Sequence, residues 1–187
     1  SDVCSSDLTL LEEPGLPGSP WVRARRVAPG ESMSGIRQKE GVRVSSGFLA
    51  RINGLESPDR IDAGQVLWIP EGTFHVQVDL SSRDLAIFQE IAGSRDLLMV
   101  VPVGIGRDGR TPVGLFRIKP GSRSRNPSWI SPDGRRYAAE DSDNPLGGWW
   151  IGLESLEESE RDDPGFRGLG LQGTIDPDSV GTACTNG

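Results

Sequence analysis

The stretch FLARINGLESPDRIDAGQVLWIP, residues 48–70, decides how the first part of the chain folds. Phe48, Leu49 and Ile52 fall at i, i+1 and i+4, so they share one side of a short helix that begins in SSGFLARIN. Asn53-Gly54 stops that helix, because Asn and Gly tolerate the left-handed backbone that a helix end requires. Ala63-Gly64 reads as a turn, and Val66, Leu67 and Ile69 as a strand. Upstream, in WVRARRVAPGES (21–32), Trp21, Val22, Ala24 and Val27 suggest another strand. Pro29-Gly30 then makes a turn, and Ser32 caps a helix running to about Glu40. The order is strand, helix, helix, strand, which is a small α+β unit over residues 21–70.

That unit resembles a LysM module. The resemblance is carried by VAPGESM (27–33), FLARINGL (48–55) and IDAGQVLWIP (61–70), with Ala63 where the family has proline. It implies a shallow groove between the first turn and the junction of the second helix with the last strand. The family binds the N-acetylglucosamine of peptidoglycan or chitin there, which would place Gly30, Glu31, Ser32, Asn53, Gly54 and Leu55 near the glycan. Read from the residues alone, Asn53-Gly54 serves equally well as a plain helix stop.

The 187 residues include 25 Gly and 14 Pro, a fifth of the chain, which favours turns and strands over long helices. The formal net charge of −7 repels phosphate backbones, so no nucleic-acid partner is expected. The longest apolar run, LLMVV (97–101), is far too short to span a membrane and suits a buried strand. TLLEEPGLPGSP (9–20) reads as linker, and SDVCSSDL (1–8) resembles translated adapter sequence, so residues 1–20 are set aside as an artefactual or linker segment. That leaves Cys184, and one cysteine forms neither an internal disulfide nor a zinc site. No metal and no cofactor are expected, and nothing in the sequence sets an oligomeric state.

From Phe74 the pattern becomes strands and turns. Phe74, Val76, Val78 and Leu80 alternate with polar residues; DLAIFQEI, DLLMVVPVGI and VGLFRIK follow, separated by SSRD, AGSRD and GRDGRTP. Two motifs are decoys. GIGRDG (104–109) fits a dinucleotide fingerprint but leads into Thr111-Pro112 and a further strand rather than a helix. EDSDNPLGG (140–148) resembles a calcium loop, but counting from Asp141 puts Leu146 and Gly152 where glycine and glutamate are needed. His75, the single histidine, reads as a surface residue of a strand.

Residues 74–187 resemble the L,D-transpeptidase catalytic domain of the YkuD type. Four stretches carry the resemblance: VPVGIGRDGRTPVGLFRI (101–118), NPSWISPDG (126–134), NPLGGWWIGL (144–153) and LQGTIDPDSVGTACTNG (171–187). It implies a mainly-β sandwich in which a cysteine thiolate attacks a peptidoglycan stem peptide, D-alanine leaves, and an amine of a neighbouring stem resolves the thioester. It further implies substrate contacts from Asn144, Pro145, Leu146, Gly147 and Trp150, and a catalytic region of Gln172, Gly173, Thr185, Asn186 and Gly187. The residue after Gly187 is expected to be the nucleophile; Cys184, four positions before it, is taken as a small buried or half-buried residue. Gln172 stands where the family has its histidine, and a carboxamide does not take a proton from a thiol at ordinary pH. Two readings follow: a peptidoglycan L,D-transpeptidase targeted to the wall by LysM, or a non-catalytic or impaired binding relative. Both imply glycan strands and stem peptides as partners and a place in a bacterial envelope, periplasmic or extracytoplasmic.

Overall fold

The computed structural model describes residues 21–131, 134–160, Phe166 and 168–185. Among these the chain divides into two compact units, one running through Val78 and taking in Leu85–Val101, the other made of Asp79–Asp84 and the residues from Pro102 on.

The first unit begins with β1 (Val22–Arg26), α1 (Met33–Lys39), α2 (Ser46–Ile52) and β2 (Val66–Pro70), the order read from the sequence. β1 and β2 pair antiparallel, with Val22 opposite Pro70 and Arg26 opposite Val66. Each helix is capped at its start by a serine. Ser32 Oγ accepts from the Gly35 amide at 3.2 Å, and Ser45 Oγ from the Phe48 amide at 3.1 Å. Each also closes with a glycine in the left-handed region. After α2 the Gly54 amide reaches the Arg51 carbonyl and the Leu55 amide the Ala50 carbonyl, so carbonyls of the last turn are satisfied and Leu55 folds back toward the core. Gly41 and Val42 end α1 in the same way. Val27, Met33, Ile36, Leu49, Ala50, Ile52, Leu67 and Ile69 form the buried core, flanked by Val42, Val44, Phe48, Leu55 and Ile61.

A three-stranded sheet follows, in the order β3 (Thr73–Asp79), β4 (Asp84–Ile91), β5 (Ser94–Pro102). Most of it groups with the first unit, whereas the sequence motifs placed everything from residue 74 with the later part of the chain. Gln89 on β4 is fully buried, and its Nε2 donates to the carbonyls of Trp21 at 2.9 Å and Glu71 at 2.6 Å, which face each other at one end of the β1–β2 ribbon. The run at 97–101 is a strand, but it is not buried: Leu97 is 48% and Val100 44% exposed. A continuous apolar strand is buried only when both faces of its sheet are covered, and here they are not.

The second unit contains β6 (Ile105–Gly106), β7 (Phe116–Ile118), β8 (Ser124–Arg125), β9 (Trp129–Ile130), β10 (Arg136–Tyr137), β11 (Trp149–Ser155), β12 (Gly170–Gln172) and β13 (Ala183–Thr185). β11 is its centre and pairs with β12, β7 and β8; β9 pairs with β10, and β6 with β13 in parallel. The rest of the chain is thus mostly β sheet. Its apolar side chains are poorly covered: among the described residues Leu146 is buried, while Val113 is 82% and Leu115 70% exposed. The G-x-G-x-x-G stretch forms a short strand and a single 3-10 turn, with the Gly106 amide held by Thr111 Oγ1 at 2.7 Å, so no helix starts where a pyrophosphate would bind.

Candidate functional site

In the first unit the pairing of β1 with β2 brings the loop after β1 beside the loop before β2. The Val27 amide donates to the Gln65 carbonyl and the Gly64 amide to the Val27 carbonyl, both at 2.8 Å. Arg26 Nη1 reaches the Gly64 carbonyl at 2.7 Å. Ala28, Pro29 and Gly30 are exposed on one loop, and Gly54, Glu56 and Asp59 on the other.

The six candidate glycan residues divide by what their atoms already do. Gly30 and Gly54 are open: both have positive φ, and a Cβ built on either meets nothing within 4 Å. Ser32 is exposed and serves as the α1 cap. Leu55 is half-buried against the core. Asn53 is a clamp: Nδ2 donates to the Leu49 and Trp68 carbonyls at 2.8 and 3.0 Å, and Oδ1 accepts from the Trp68 amide at 2.7 Å. Its side chain stitches α2 to β2 and has its hydrogen-bonding capacity largely spent. Glu31 is likewise engaged. Arg25 grips both of its oxygens, Nη1 on Oε2 and Nη2 on Oε1 at 2.7 Å, and the Ala28 amide adds a bond to Oε2 at 2.9 Å.

These bonds have an electrostatic consequence. The hydrogen bonds from Arg25, followed by that from Ala28, lower the Glu31 carboxyl from 4.5 to about 2, and the two glutamates raise the Arg25 guanidinium in turn. Burial alone would raise Glu40, but the bonds from Arg25 and Arg23 outweigh it and hold it below its ordinary value. A carboxyl whose folded value is depressed stabilises the fold above its unfolded value and loses that contribution as pH falls. The melting temperature of this unit should therefore hold from about pH 7 to 5 and fall progressively between about pH 4.5 and 2. Circular-dichroism melts across this range test it, and Glu31→Gln should flatten part of the descent. An acid limb unchanged by that substitution would refute the assignment.

In the second unit the candidate segments meet. Trp150 on β11 pairs with Gln172 on β12, so their side chains lie on the same face of the sheet. Gly152 and Gly170 pair next to them, and a Cβ on Gly170 would lie 2.6 Å from Trp150 Cζ2, so the indole lies over bare backbone. The Asn144–Gly148 loop packs on the Gly173–Thr174 backbone: a Cβ on Gly147 would come within 2.8 Å of the Thr174 amide nitrogen, and one on Gly173 within 3.2 Å of the Leu146 carbonyl. Asn144 is buried and ties its loop down, donating to the Pro127 carbonyl at 2.7 Å and accepting from the Leu146 amide at 3.2 Å. Pro145 is half-buried beside it. Thr174 Oγ1 lies 3.1 Å from Ser179 Oγ, and the Ser179 carbonyl and Thr185 Cγ2 both flank Gly104. Asn186 and Gly187 lie outside the described residues.

Cys184 is exposed rather than buried or half-buried, with Sγ 3.8 Å from the Ser179 carbonyl. Among the described residues β13 pairs with β6 alone. His75 belongs to β3, with Nε2 3.6 Å from Glu90 Oε2. Among the described residues no group of acids, histidines and cysteines is placed to hold a metal. Sequence reading missed Arg25; the available signal was an arginine midway along a strand, with a glutamate at each end of the following helix.

The first unit thus holds a β-α-α-β module with a two-stranded ribbon, two capped short helices and an open loop pair. Residues 26–70 match the family model of the LysM domain. LysM domains bind peptidoglycan and chitin-like glycans. No curated protein and no solved structure matches the chain.

Proposed function

We propose that this chain binds a cell-wall glycan containing N-acetylglucosamine through the two loops of its first unit. The observation that carries the proposal is the coincidence of the LysM match at 26–70 with a closed β-α-α-β core whose open glycines, Gly30 and Gly54, lie on those loops. Glycine there leaves backbone donors and acceptors accessible to a flat sugar ring. One shallow site gives weak retention, since tight wall attachment needs several copies. The chain should co-sediment with insoluble peptidoglycan or chitin and be released by soluble N-acetylglucosamine oligomers. Co-sedimentation no greater than that of an unrelated acidic protein would reject the reading. This function calls for a location at a bacterial envelope, outside the cytoplasm.

A second reading concerns the second unit and rests on the packing of the NPLG loop against Gly173–Thr174, with Trp150 paired to Gln172. It makes this unit a relative of the L,D-transpeptidases that holds stem peptides, with Asn144, Pro145, Leu146, Gly147 and Trp150 on the substrate side. Gln172, Gly173 and Thr185 then belong to the acyl-transfer region. In this reading Gln172 donates and accepts hydrogen bonds but supplies no general base, so acyl transfer would be slowed by about two to four orders of magnitude. The chain is then chiefly a binder of wall strands and stems. Titration with a stem tetrapeptide should move the Trp150 indole and Gln172 amide resonances, and resonances that stay fixed at saturating peptide would remove the reading.

A further inference from the structure

We infer that Arg25 is the positioning residue of the glycan-binding face: one guanidinium on β1 fixes both ends of α1 and, through them, the loop of residues 28–32. The inference rests on the glycan reading and adds a residue that the family resemblance does not point to.

The geometry is specific. Glu31 immediately precedes the Ser32 cap of α1, and Glu40 is the residue that closes it. Arg25 holds Glu31 by two parallel bonds and Glu40 by Nε at 2.6 Å from Oε1. Arg25 and both glutamates have side chains no more than 20% exposed, so water competes little for these bonds. The Ala28 amide completes the arrangement by donating to Glu31, which pins the start of the loop to its end across Pro29-Gly30. Glu40 is held a second time by Arg23, which also pairs with Glu71 at 2.9 Å, so the clamp is anchored to the ribbon.

A loop of small residues with a left-handed glycine has many conformations, and a shallow sugar site binds well only if its backbone groups are already in place. The Arg25–Glu31 pair supplies that order without presenting a side chain to the sugar. Glu31 is therefore a loop holder rather than a ligand. Lysine cannot replace Arg25, because an ammonium offers one point charge where the planar fork meets two carboxylates.

The test uses the whole chain as Arg25→Lys and as Glu31→Gln. Calorimetric titration with an N-acetylglucosamine oligomer should show about tenfold weaker binding for each, and the double variant little weaker than either single one. Hydrogen exchange at Ala28 and Glu31 should speed up by about tenfold, and by clearly more than at Leu49 and Leu67, whose amides follow only the change in overall stability. Unchanged affinity and unchanged loop exchange would overturn the inference. So would equal acceleration at Leu49 and Leu67, which would make Arg25 a general stabiliser. If the wild-type chain itself binds no oligomer, the glycan reading fails, and the exchange data still decide whether Arg25 holds the loop.

Discussion

Leu49→Ala should leave the first unit largely unfolded. Leu49 is fully buried, in one core cluster with Met33 and Ile36 of α1 and Leu67 and Ile69 of β2. Removing a buried leucine side chain costs about 2–5 kcal/mol, the larger values where the cavity cannot collapse. Two seven-residue helices stopped by fixed glycine turns leave little slack for collapse. Typical stabilities of about 0.05–0.15 kcal/mol per residue give the β-α-α-β module of residues 26–70 only about 2–7 kcal/mol in total, so the loss is comparable to the whole. Val66→Ala removes apolar volume from the same module at a side chain that is 42% exposed and should cost less than about 1 kcal/mol. Urea titration followed by circular dichroism distinguishes the two. Equal midpoints would mean that the core is not where the structure places it.

Gly147→Val should break the contact on which the second reading stands. Gly147 has φ of +58°, a conformation that costs an L-residue about 1–3 kcal/mol and a β-branched residue more. Its Cβ would also lie 2.8 Å from the Thr174 backbone nitrogen, and backbone cannot swing aside as a side-chain end can. Strain and clash act together, so the loop should leave Gly173–Thr174 rather than absorb both. The Gly173 amide, which donates to the Trp149 carbonyl at 2.9 Å, should then exchange faster, and the response of Gln172 to a stem tetrapeptide should be lost. Gly148→Ala is the control: its Cβ meets only Asn126 Oδ1 at 3.7 Å, an ordinary contact, and it should be near neutral. A Gly147→Val protein with native exchange at Gly173 would refute the packing.

The first unit was legible because its signals are local. Ser32 before an apolar repeat, Asn53-Gly54 after one, and the Ala63-Gly64 turn before the apolar run Val66–Ile69 each act within a few residues, and the fold follows their order. The roles of Asn53 and Glu31 were not legible. A polar side chain near a groove reads as a ligand contact until its partners are known, and those partners, Trp68 and Arg25, come from other elements. Most of the β3–β5 sheet groups with the first unit for a similar reason. Its strands were recognised, but the buried Gln89 that ties it to Trp21 and Glu71 has no sequence signature. In β5 the apolar run alone overstated burial, as Leu97 and Val100 show.

The central claim is that the loops at 28–32 and 53–61 form a glycan site. A nuclear magnetic resonance titration of the whole chain with an N-acetylglucosamine oligomer tests it most directly. The account predicts saturable shifts at the amides of Gly30, Glu31, Ser32, Gly54 and Leu55, with the core amides of Leu67 and Ile69 little changed and the second unit silent. Shifts confined to the second unit, or none at any concentration of oligomer, would contradict it.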